Sequence, residues 1–229
     1  YLVQRVHVEE GGGSVVRLFE ALVPPALGWV SLYWVFAVVA LLMVAVVALV
    51  RFPKVELRDD ERMDTGRAFG ELLAKRHVYL YFFGIFAYVG SEQGIANWMS
   101  ANLQTYHQAD PATVGASAVS NFWGLLTVGC VLGLVLLKFF DSRRVLMLFT
   151  AAAILSLLAA LYGDLSLALL AFPLTGFFAS VMWSIIVSLA LNSVPLHHGT
   201  FSGILCAGIA GGAVVPSVIG GLADGLGLR

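Results

Sequence analysis

Long runs without a charged side chain constrain this chain more than any other feature. Residues 21–50 hold none, and residues 111–137 hold none. A helix that crosses a bilayer takes about 20 mostly apolar residues. Residues 78–106 form a further run broken only by Glu92, and residues 145–162 form another. The stretch 165–223 is too long for one crossing, and "NSVPLHHGT" interrupts it with Pro195, two histidines and Gly199. It divides into spans over about 165–192 and 201–223. Six spans result. Open sheet edges are excluded from lipid, so these are expected to be helices. Composition agrees: 12% of residues are charged, against about 25% in soluble domains. The expected class is an all-α polytopic membrane protein.

Several classes fall away. Cys130 and Cys206 both sit in apolar runs, with neither disulfide nor zinc spacing, and read as small packing residues. No metal site and no cofactor motif is present. No basic patch with interleaved aromatics points to nucleic acid. The chain opens on Tyr1 and shows no signal-peptide pattern. It is expected to be a segment of a longer protein.

Basic residues set the orientation. Arg51, Lys54, Arg58, Arg62, Arg67, Lys75 and Arg76 cluster between the first two spans, and Lys138, Arg143 and Arg144 follow the third. The loops "HQADPAT" and "YGD" hold none. The positive-inside rule makes the first group cytoplasmic. The expected organisation is an extracytoplasmic remnant over 1–20, a helix over 21–51, a cytoplasmic loop over 52–76, and a helix bundle over 77–229. Within the loop, "DTGRAFGELLAKRH" is expected to form a short surface helix, either a solvated linker or a latch.

Polar residues recur on helix faces inside the spans. Gln93, Asn97, Ser100 and Gln104 follow three- and four-residue steps, with Glu92 at the edge of their face and Trp98 further round. Ser117, Ser120, Asn121, Gly124 and Thr127 form a second stripe. Gly176, Ser180, Ser184 and Ser188 form a third, beside Trp183. Small residues alone fit close helix packing. Large amides and indoles need hydrogen-bond partners, which a polar cavity supplies. Glu92 is the sharpest case. A charged carboxylate at the bilayer centre costs at least ~2.5 kcal/mol, and no Lys or Arg lies within the six spans. It therefore takes up a proton or faces a wet cavity.

Aromatic and amide faces around a carboxylate point to carriage of a polar solute such as a sugar. Enzyme chemistry finds little support. No H-E-x-x-H helix exists, and "GTFSG" around Ser202 has neither the nucleophile spacing nor a nearby base. A channel would want rings of like residues.

Four segments resemble a known family. "YVGSEQGIANW", "TGFFASVMWSIIVSLAL", "SGILCAGIAGGAVVPSVIGGLAD" and "FFDSRRVL" are similar to stretches of the fucose–proton symporter family of sugar carriers, within the major facilitator superfamily. The resemblance covers about residues 78–227. It implies a partial major-facilitator fold in which the six spans are helix six and helices seven to eleven of a twelve-helix carrier. It implies a central site for a hexose or deoxyhexose between two halves, alternating access, and coupling to H+ or Na+ in a bacterial inner membrane. Carried over by position, Glu92 falls on a polar position of the seventh helix, Asn121 on an Asn of the eighth, and Trp183 on a cavity aromatic of the tenth. Glu92, Gln93, Asn97, Asn121 and Trp183 are expected to bind substrate, with Trp98, Ser117 and Ser184 as further lining. The chain departs from the family where Trp183 and Ser184 replace an aromatic–proline pair. The carboxylates credited with proton coupling belong to the other half, so Glu92 reads first as a substrate group and second as a proton carrier.

Overall fold

The computed structural model describes residues 30–50 and 65–228. The expected remnant over 1–20 lies outside the described residues, as do Arg51, Lys54, Arg58 and Arg62 of the basic loop. The chain forms two units, one ending at Glu56 and one beginning at Leu57. The first unit contributes helix α1, Val30–Leu49, which has no charged residue. At 1.5 Å per residue α1 reaches about 30 Å, the thickness of a hydrocarbon core.

The second unit is all helical among its described residues. It begins with α2 (Thr65–Leu73) and α3 (Arg76–His107). A π-helical turn over Pro111–Gly115 runs into α4 (Ala116–Phe139). Then come α5 (Ser142–Tyr162), α6 (Leu165–Ala179) and α7 (Met182–Leu191). Helix α8 (His198–Ala207) passes through a 3-10 turn, Gly208–Ala210, into α9 (Gly211–Leu226).

Aspartates start three of these segments. The Asp110 carboxylate accepts from the Ala112 N–H at 3.2 Å and the Thr113 hydroxyl at 2.6 Å. Asp141 accepts from the Arg143 and Arg144 N–H groups. Asp164 accepts from the Leu167 N–H at 3.0 Å. Each satisfies amide donors that a helix start leaves open. So most of the sparse acid of these loops is spent on setting where helices begin.

Four segments among the described residues are long and apolar enough to cross a membrane: Pro111–Phe139, Ser142–Tyr162, Leu165–Leu191 and His198–Leu226. The expected six are not all met. Helix α3 has length to spare, at 32 residues, but Glu92, Gln93, Asn97, Asn102 and Gln104 lower its hydropathy. The described apolar stretch of the first span is the shorter Tyr33–Leu49. The outer surface of the four segments fits a lipid solvent. Leu134, Leu148 and Leu155 are 77%, 69% and 67% exposed, a pattern a water-soluble chain would bury. The protein is an integral membrane protein.

The main helix pairs are α3 with α9, α5 with α6, and α4 with α6. The α3–α9 seam explains the glycine-rich sequence of α9. A Cβ on Gly211 would run into the Phe86 carbonyl, and one on Gly220 would lie 2.6 Å from the Trp98 ring. Only glycine lets α9 approach so closely. The surface helix α2 is docked by Ala68 and Leu72, which are buried one turn apart. Leu72 joins Val78, Phe201 and Leu205 in one apolar cluster. Full burial of a leucine contributes about 1.5–3 kcal/mol. Beside it, Glu71 pairs with Arg67 at 3.4 Å and with buried His197 at 3.5 Å.

Candidate functional site

Glu92 lies on α3, half-buried. It faces a cavity of about 390 Å³ bounded by α3, α4, α5, α6 and α7. That volume lies within the usual range of small-molecule sites. Most of the wall is apolar, with Phe122, Leu157 and Ile186 among its members. The polar groups are few: Tyr88 and Ser91 beside Glu92 on α3, Thr150 on α5 and Thr175 on α6. Tyr88 precedes Glu92 by four residues, so both point to one face. The Glu92 carboxylate interacts with the Tyr88 phenol. Among the described residues, no Lys or Arg lines the cavity. Thr175 is committed in part, donating its hydroxyl to the Ala171 carbonyl at 2.9 Å.

The cavity borders a break in a membrane helix. Ser180 and Val181 separate α6 from α7, and Ala179 and Met182 on either side line the cavity. Ser180 turns its hydroxyl back to the Phe177 carbonyl at 2.7 Å. The Ser180 carbonyl accepts from the Cys130 thiol at 3.4 Å. Non-helical backbone at membrane depth is tolerated where protein groups satisfy it. Here Cys130 is such a group, a use beyond simple packing.

The residues singled out by sequence do not all converge. Glu92 alone of them lines this cavity. Gln93 packs its side chain against Gly212 of α9. Asn97, Ser117, Asn121 and Ser184 are exposed on their helices. Ser184 lines a smaller pocket with Cys130 and Ser180. Trp183 is half-buried and packs against the cluster that holds Leu72 and Phe201. Trp98 donates from Nε1 to the Pro216 carbonyl at 2.9 Å and lines a second cavity with Asn102. Tyr88 was legible as a helical neighbour of Glu92. Thr150 and Thr175 carry no local signal, because only tertiary packing brings them to the cavity that Glu92 lines.

Comparison with known proteins supplies the context. No protein-family model matches the chain. Over 203 residues, 86% of its length, the chain is 31% identical to a Brucella abortus protein named glucose/galactose transporter. It covers 48% of that protein, so it spans about half the length of the curated relatives it matches. Among solved structures, it is similar to the Escherichia coli fucose:proton symporter FucP, with a TM-score of 0.69 and 21% identity over 88% of this chain and 50% of that one. A second structure, of the major facilitator superfamily transporter FucP in its outward conformation, aligns with a TM-score of 0.67 and 24% identity over 88% of this chain and 49% of that one. These names are those of transporters, not of enzymes. The fold of this chain matches about half of the FucP chain.

Proposed function

We propose that this chain is the carboxy-terminal half of a sugar carrier of the major facilitator superfamily. The observation that carries this reading is the similarity, along most of the chain, to a protein named glucose/galactose transporter. In this assignment α1 is helix six, α3 is helix seven, and the spans from Pro111 to Leu226 are helices eight to eleven. The basic loop between α1 and α3 is cytoplasmic, and the membrane is a bacterial inner membrane. The cargo is a hexose or deoxyhexose, moved by alternating access and coupled to H+, with Na+ as the competing choice. A carrier of another small polar solute is the second reading.

Two features support a sugar path. Glu92, Tyr88 and Ser91 set an acceptor and hydroxyls on one wall of an otherwise apolar cavity, an arrangement that can bond a polyol in two directions. Asn97, Ser117, Asn121 and Ser184 are exposed. An unpaired amide in hydrocarbon is costly, so a facing half or a water-filled cavity must cover them. Glu92, Gln93, Asn97, Asn121 and Trp183 remain the proposed binding set, with Trp98, Ser117 and Ser184 as further lining.

The test is uptake of glucose, galactose and fucose by the complete carrier in proteoliposomes, under a pH gradient and separately under a Na+ gradient. Saturable uptake driven by one gradient supports the reading. Unsaturable flux, or none with any of these sugars, overturns it.

A further inference from the structure

A second cavity lies further along α3, toward His107. Its volume is about 150 Å³, and Trp98, Met99, Asn102, Phe172 and Leu228 are among its walls. Asn102 is 3% exposed. Its Nδ2 donates to the Leu228 carbonyl at 3.2 Å, while the Leu228 N–H donates to the Tyr106 hydroxyl at 3.0 Å. This leaves the Asn102 Oδ1 buried without a hydrogen-bond partner among the described residues. A buried amide oxygen left unpaired costs about 1–3 kcal/mol. The amide cannot simply be reversed, because Oδ1 would then oppose the Leu228 carbonyl oxygen.

We propose that this second cavity is a water site held by Asn102 Oδ1, and that it continues as a water track to Glu92. Room is ample, since one water needs only about 10–15 Å³ of such volume. A water also needs at least two polar partners. The Leu228 carbonyl keeps a second lone pair and supplies the other acceptor. Continuity with Glu92 comes from two residues. Ile95 of α3 and Leu157 of α5 line both cavities. They stand where the two spaces meet and form the apolar constriction of the track. Water reaching past them hydrates the Glu92 carboxylate from the His107 end of α3, by a path inside this half of the bundle. The proposal uses the reading of Glu92 as a transport-site group only for its purpose; the water site itself is independent of cargo.

Radiolytic hydroxyl-radical footprinting of the complete carrier in nanodiscs reads buried water directly. Met99 is 1% exposed, so its oxidation requires water inside the second cavity. Met182, 9% exposed, reports the Glu92 cavity in the same way. The expected result is oxidation of Met99 in the native protein and its loss in Asn102→Leu. In Leu157→Trp, Met182 oxidation falls while Met99 oxidation persists. Ile95→Phe repeats that test should the tryptophan prevent folding. A native Met99 that resists oxidation, or one equally oxidised in Asn102→Leu, overturns the water site. Met182 oxidation unchanged by filling the constriction overturns the track. Sugar uptake by the same native preparation decides the carrier reading separately.

Discussion

The Trp98 indole donates from Nε1 to the Pro216 carbonyl at 2.9 Å, with its ring packed over Gly220 of the same partner helix. The bond spans 118 positions of sequence and pins the middle of α3 to α9. Trp98→Phe deletes the donor and leaves a smaller ring. It should lower stability by about 1 kcal/mol. Gly220→Ala places a Cβ against the ring and should cost about 1–3 kcal/mol. Thermal unfolding in detergent measures both. Additive losses in the double variant would show that the two residues do not share one contact.

Glu92→Gln preserves size and removes the charge. A hydrogen bond to a charged group is worth about 1.5–3 kcal/mol, so sugar affinity should weaken by roughly ten- to a hundredfold. Thermal unfolding should stay near that of the native protein. Trp183→Ala should weaken affinity as well, with a larger stability loss because its ring also packs in the cluster around Leu72. Native uptake by both variants would remove these residues from the site.

The turn after α3 should respond to acid. The Thr113 hydroxyl, and after it the Ala112 N–H, hold the Asp110 carboxyl below its ordinary value. A group with a depressed folded-state pKa contributes above its unfolded pKa and loses that contribution as pH falls through the folded one. The start of the Pro111–Gly115 turn should therefore fray in the acid range below the usual aspartate value. Faster exchange of the Ala112 amide on acidification, absent in Asp110→Asn, is the expected observation.

Docking of α2 should depend on Leu72. The residue has no exposed surface, and Leu72→Ala should cost about 2–5 kcal/mol. Because α2 is short, that loss should release it. Limited proteolysis within Thr65–Leu73 should become faster, while α4 to α9 stay protected. Glu71→Gln, which removes the carboxylate facing Arg67 and His197, should have the smaller effect, since Glu71 is about half exposed.

Much of the architecture was legible because membrane helices are encoded locally. Spans expected over 111–137, 145–162 and 165–192 correspond to described segments of nearly the same extent. The surface helix forms within "DTGRAFGELLAKRH", over Thr65–Leu73, and stops short of the basic residues at its end. The site was less legible. Helical spacing put Gln93 and Asn97 on a shared face with Glu92 at its edge, yet Glu92 alone lines the larger cavity. Adjacent residues on a helix diverge by about 100°, so a stripe can straddle two neighbours. Asn102 reads in sequence as one more polar residue. Its importance rests on Leu228, which is 126 positions away.

The sequence alone determined that this chain crosses a membrane as helices, where most of them start, and which apolar run holds a lone carboxylate. Backbone hydrogen bonding, apolar length and aspartate caps are local quantities, so they needed no fold. The tertiary structure decided that Glu92 shares a cavity with Thr150 and Thr175, that Trp98 locks onto α9, and that the helix after Thr175 breaks at Ser180. Those outcomes depend on how each helix is rotated about its axis and which neighbour it meets. The matching of glycine to bulky side chain across the seams sets that rotation, and no single segment contains both members of such a pair.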